Sequence, residues 1–141
     1  MSNLNILIVD DNRDLADGLA FVLEDEGHLV TVAYSGEDAV KQSEKHQFDL
    51  VFMDVKLPGI DGIEAFCQIH KLRPETRVII MTGFRIEQLL ERAIDHGVAR
   101  VLHKPFAINH MQSAIHQLGN PFNRITKHET IMIQIVLRFE L

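Results

Sequence analysis

Polar side chains stand directly after apolar runs at several points in this sequence: Asp10 and Asp11 after "ILIV", Asp54 after "LVFM", Thr82 after "VIIM" and Lys104 after "VLH". Adjacent carboxylates repel, so Asp10 and Asp11 need either open solvent or a cation to hold them. Joined by Asp54, they form a hard-oxygen site suited to Mg²⁺, which takes a few protein oxygens and keeps several waters. A divalent cation, a lysine ammonium and a hydroxyl in one pocket neutralise a phosphoryl group's equatorial oxygens while a carboxylate attacks phosphorus in line. Asp54 is the natural nucleophile, with Lys104 and Thr82 beside it. An acyl phosphate is high in energy and hydrolyses, so such a site suits a transient mark. It is chemistry for a switch.

These residues meet only if the chain brings the ends of its apolar runs together. Runs rich in Val, Ile, Leu or Met recur at Leu4 to Val9, His28 to Ala33, Asp49 to Met53, Arg77 to Met81 and Val98 to Leu102, and they hardly alternate. That pattern suits strands buried on both faces. Between them, apolar residues fall at helical spacing: Leu15, Leu19, Val22 and Leu23; Ala39 and Val40; Ile63, Phe66 and Ile69; Ile86, Leu89, Leu90, Ala93 and Ile94; Ile108, Met111, Ile115 and Leu118. Asn12, Ser35 and Asp61 stand as N-caps, and Gly27, Gly97 and Gly119 as helix stops. Alternating strand and helix with short right-handed connections predicts a doubly wound α/β domain, a five-stranded parallel sheet with helices on both faces. The order 2-1-3-4-5 leaves the second strand, which ends in Ala33, Tyr34 and Ser35, at the margin. It brings the first and third together at the switch point, where ligands bind.

The remainder reads differently. Residues 120–141 do not fit the repeat, and from Ile131 the alternation of Ile131, Ile133, Ile135, Leu137, Phe139 and Leu141 with their neighbours is a strand pattern. The expectation is an α/β domain over 1–119 and a C-terminal extension over 120–141 with an extra strand, pairing with its own sheet, with a second copy in a homodimer, or left as a linker remnant.

Composition narrows the partners. The 141 residues are 46% hydrophobic with a net charge of -6 and no Lys/Arg cluster, which speaks against direct nucleic-acid binding. Cys67 is the single cysteine, so no internal disulfide forms. No uncharged run approaches the roughly 20 residues of a membrane span, and Met1 to Asn5 has no signal-peptide character, so a cytoplasmic location is expected.

The motifs "VDDN", "FMDVKLPGIDG", "MTG" and "HKPF", in this order and spacing, resemble the receiver domain of bacterial two-component response regulators, over about residues 4 to 118. The resemblance implies a flavodoxin-like fold and a phosphoacceptor function. Asp54 would accept a phosphoryl group from a sensor histidine kinase or a histidine phosphotransfer protein. Asp10, Asp11, Asp54 and the backbone carbonyl of Lys56 would hold Mg²⁺. Lys104 would contact the phosphoryl group, and Thr82 would hydrogen-bond to it and carry the change to a downstream protein target or a fused output domain. A cis bond at Lys104-Pro105 is implied as well. One position departs from the family pattern: Val101 stands where receivers usually carry Tyr or Phe, which puts the usual aromatic readout in doubt. Phe84 and Lys56 occupy positions that tune dephosphorylation in the family.

Plainer readings stand beside these. Asp10 and Asp11 alone would be acids at a helix N-terminus, favoured by its dipole. "PGIDG" is most simply a turn feeding a helix capped by Asp61, and the eight histidines lack metal-ligand spacing. A phosphohydrolase of the haloacid-dehalogenase type would need Asp where Lys56 stands. Flavin or nucleotide binding would need a Gly-rich or hydroxyl-rich loop where "DDNRD" stands. A transcription factor would need more chain than follows Gly119. The expected role is therefore a signalling phosphoacceptor rather than an enzyme, its changed surface centred on Arg85, Glu91, Arg92 and Arg100.

Overall fold

The computed structural model describes residues 3–82, 100–103 and 112–116. Lys104, Pro105, Phe84, Arg85, Glu91, Arg92, Gly97 and the extension 120–141 lie outside the described residues, and with them the expected cis bond and extra strand. In chain order the described elements are β1 (Asn5–Val9), α1 (Arg13–Asp25), β2 (Leu29–Ala33), α2 (Gly36–Lys45), β3 (Leu50–Asp54), α3 (Gly62–Leu72), β4 (Arg77–Thr82) and β5 (Arg100–His103). Residues 112–116 are helical. The strands form one parallel sheet in the order β2-β1-β3-β4-β5.

The strands read as unbroken apolar runs because both faces of the sheet are covered. Leu7, Val9, Val51, Met53, Val78 and Ile80 share a cluster with Ile63, Phe66 and Ile69 of α3 and Ala39 of α2. The alternate residues Ile6, Ile8, Leu50, Phe52, Ile79 and Met81 pack with Ala16, Leu19, Ala20 and Leu23 of α1 and with Ala114 and Ile115. β2 lies at the margin with Leu29 exposed, as an edge strand covered less completely.

The helices begin where their caps are written. The side chains of Asn12, Ser35 and Asp61 accept from the backbone N–H of Leu15, Asp38 and Glu64 at 3.2, 3.1 and 2.8 Å, each satisfying a donor that the first turn leaves orphaned. α1 ends on Gly27 at φ 96°, with Gly27 N–H donating to Glu24 O at 2.9 Å and His28 N–H to Leu23 O at 3.2 Å. This paired closure requires a left-handed residue at Gly27. It also draws His28 into the helix end, so β2 starts at Leu29 rather than at His28. Asp49 likewise stands outside β3, its carboxylate accepting from Asn5 N–H at 2.8 Å. Cys67 is half-buried against the α3 side of the core. Among the described residues no helix is long and apolar enough to cross a membrane.

Candidate functional site

The register explains why Asp10 and Asp54 meet. β1 and β3 are parallel neighbours with Val9 opposite Met53, so the next residues along, Asp10 and Asp54, come abreast at the C-terminal edge of the sheet. Side chains alternate across a strand. Asp10 therefore shares the parity of Ile6 and Ile8, and Asp54 that of Leu50 and Phe52, all on the α1 face. Pairing carries on past the strand ends, with Asp10 N–H donating to Ala33 O at 3.1 Å and Val55 N–H to Met81 O at 3.2 Å. The backbone around both carboxylates is thus fixed by the sheet.

Asp10, Asp11 and Asp54 each offer an oxygen, and these atoms all lie within 4.8 Å of one another. Asp10 is fully buried and Asp54 is 7% exposed, whereas Asp11 is open to solvent. The site is thus a shelf with two sunken acids and one at the rim. Asp10 accepts from the Asn12 backbone N–H at 3.0 Å, and Asn12 caps α1, so the helix begins with its positive end beside the acids. Two unit charges 4.8 Å apart still repel by about 3 kcal/mol at an effective dielectric of about 20. All-oxygen donors grouped this closely suit a hard divalent cation such as Mg²⁺ or Ca²⁺.

The other expected site residues are placed less fully. Lys56 is exposed, two residues beyond Asp54 in the loop leading to α3. Thr82 closes β4, whose neighbouring residue Met81 pairs with Asp54, and Val101 lies in β5 opposite Ile80. Lys104 would follow directly on β5 but is outside the described residues.

Sequence reasoning missed Gly62, the first residue of α3. A Cβ on Gly62 would collide with the carbonyl oxygen of Asp54 and would meet Asp54 C at 2.8 Å and Val55 Cα at 2.9 Å. The Gly62 N–H donates to Val55 O at 2.8 Å. Only glycine lets α3 start this close behind the acid. The one available signal was a glycine directly after the Asp61 cap, which a turn explains equally well.

The sequence profile of the response regulator receiver domain family matches residues 6–116. The chain belongs to that family. The chain is 37% identical over 136 residues to the transcriptional regulatory protein PdtaR of Mycobacterium tuberculosis (strain ATCC 25618 / H37Rv), covering 96% of this chain and 66% of the relative. It is 35% identical over 102 residues to the response regulator receiver protein Anae109_2439 of Anaeromyxobacter sp. (strain Fw109-5), covering 72% of this chain and 43% of that one. The chain therefore spans only part of the length of these relatives. Among solved structures, the CheY-like receiver domain protein of Methanospirillum hungatei JF-1 superposes with a TM-score of 0.79 at 29% identity, over 84% of this chain and 95% of that one. A response regulator of Burkholderia pseudomallei, solved with a phosphorylated aspartic acid, a calcium ion and citrate, superposes with a TM-score of 0.74 at 27% identity, over 78% of this chain and 65% of that one.

Proposed function

We propose that this receiver domain is a phosphoacceptor switch in two-component signalling, with Asp54 as the residue that takes the phosphoryl group. The observation that carries the reading is the cluster of Asp10, Asp11 and Asp54, two of them buried, at the edge of a parallel sheet where ligands of this architecture bind. The phosphorylated aspartic acid of the Burkholderia pseudomallei relative lends support.

Asp10, Asp11, Asp54 and the Lys56 carbonyl would hold Mg²⁺, which when bound supplies charge neutralisation to the equatorial oxygens of an incoming phosphoryl group. The Asp54 carboxylate attacks phosphorus, forming the new P–O bond as the P–N bond to a donor histidine breaks. The sheet register holds Asp54 beside Asp10, so the nucleophile is oriented before the donor arrives. Lys104 would contact the transferred group and Thr82 would hydrogen-bond to it, drawing the β4 end inward and altering the surface around Arg85, Glu91, Arg92 and Arg100.

The donor is a sensor histidine kinase or a histidine phosphotransfer protein in the cytoplasm, and the target of the switched surface is a downstream protein or a fused output domain. Residues 1–119 form the receiver and 120–141 an extension whose strand pattern suits pairing with a second copy. The domain makes and loses its own phosphoryl mark without turning over another substrate. Incubation with acetyl phosphate and Mg²⁺, followed by intact mass measurement, tests the reading. Wild type gains one hydroxylamine-labile phosphoryl group, and neither Asp54→Asn nor wild type with EDTA gains it. A gain that persists in Asp54→Asn refutes it.

A further inference from the structure

The loop that joins β3 to α3, residues 55–61, carries Lys56 past Asp54 and is fastened at its far end to the start of α2. Glu37 Oε1 accepts a hydrogen bond from the Ile60 backbone N–H at 2.7 Å, although the two residues are 23 apart in sequence. Gly36 lies against the same residue, since a Cβ there would meet Ile60 Cγ1 at 2.7 Å and Ile60 O at 3.0 Å. Gly59 adopts φ 77°, and any Cβ on it would run into the Glu37 carboxylate. The Ile60 side chain packs against the α2 and α3 side of the core. Ile60 N–H and the Glu37 backbone N–H hold the Glu37 carboxyl below its ordinary value, as expected of an anion receiving amide donors at a helix N-terminus.

We infer that Glu37 is a positioning residue for the metal site, fastening the 55–61 loop so that the Lys56 carbonyl is held where a divalent cation beside Asp54 needs it. The inference rests on the phosphoacceptor reading, because a cation at the acid cluster is what gives the loop's position a consequence. Glu37 is exposed and supplies no ligand itself. Its contribution is geometric: Mg²⁺ demands near-ideal octahedral positions at about 2.0–2.1 Å, so a loop free to drift by a fraction of an ångström weakens a ligand it carries. The fixed points on the other side of Lys56 are Asp54, held in β3, and Val55, whose N–H donates to Met81 O and whose carbonyl accepts from Gly62 N–H. Glu37 adds the remaining point, near the loop's far turn.

Calorimetric titration of Mg²⁺ into the whole chain tests this in wild type, Glu37→Ala, Glu37→Gln and Glu44→Ala. Glu37→Ala weakens Mg²⁺ binding about fivefold, while Glu37→Gln, which keeps an oxygen acceptor for Ile60 N–H, stays within about twofold of wild type. Glu44→Ala removes the same charge from an exposed position about two turns along α2 and leaves binding unchanged. Wild-type affinity in Glu37→Ala overturns the inference alone, as does equal weakening in all three variants, which would mark a long-range charge effect. A folded wild type that binds no Mg²⁺ overturns the phosphoacceptor reading and this inference with it. Should Glu37→Ala fail to fold, amide exchange in the wild type decides. Exchange at Ile60 slows about threefold or more on adding Mg²⁺ if clamp and site act together, and an unchanged rate overturns the inference.

Discussion

Replacing Gly62 by alanine perturbs the candidate site from behind. The added Cβ overlaps the Asp54 carbonyl oxygen and presses on Asp54 C at 2.8 Å and Val55 Cα at 2.9 Å, all backbone atoms that no rotamer change can move aside. Either α3 retreats or the end of β3 yields. Overpacking of this kind costs about 1–3 kcal/mol. Losing the 2.8 Å bond from Gly62 N–H to Val55 O adds about 1 kcal/mol. Alanine regains up to about 1 kcal/mol through its better helix propensity, an upper limit at a helix's first position. The net expectation is a loss of about 1–4 kcal/mol, centred on about 2.5 kcal/mol. With a urea slope of about 2 kcal/mol/M, the unfolding midpoint falls by about 1 M. Urea titration followed by circular dichroism measures the midpoint, and initial rates of acetyl phosphate labelling measure the acid. Because the displaced backbone belongs to the proposed nucleophile, the labelling rate of the folded variant falls at least about tenfold. A midpoint within about 0.2 M of wild type would refute the claim that close approach is what requires glycine here.

Other outcomes follow from the same geometry. Mg²⁺ at ten times its dissociation constant stabilises the wild type by about 1.4 kcal/mol, seen as a thermal shift of a few degrees. Asp11→Asn loses most of that shift, and a variant that retains it in full would remove Asp11 from the metal site. Asn12→Ala removes the α1 cap and lowers stability by about 1 kcal/mol, measurable by denaturant titration. Since the folded state holds Glu37 below its usual pKa of 4.5, its contribution is present above about that pH and is lost as pH falls below it. Glu37→Gln therefore flattens the stability profile below pH 5, and identical acid limbs in the two proteins would contradict this.

Local signals proved the more readable ones. Asn12, Ser35 and Asp61 were legible as caps because each acts on an N–H three residues away. The two-sided burial of β1, β3 and β4 was legible because two covered faces leave an unbroken apolar run. Strand limits were less so. His28 belongs to the closure of α1, and Asp49 serves the backbone of Asn5, pairings that depend on what folds alongside. The meeting of Asp10 with Asp54 followed once strand order was inferred, since register then places their positions abreast. Gly62 and Glu37 were not legible as supports of the site. Both act across the fold, Glu37 on Ile60 and Gly62 on the Asp54 carbonyl, and neither leaves a periodic or neighbouring trace in sequence.

The most direct test of the central claim locates the phosphoryl group on the chain. Treating the acetyl phosphate-labelled protein with borohydride reduces an aspartyl phosphate to homoserine, and peptide mapping then reads the position. Homoserine at position 54, dependent on Mg²⁺ and absent without acetyl phosphate, is the predicted result. Homoserine at Asp10 or Asp11 instead, or a labelled protein with no homoserine at all, would contradict the account.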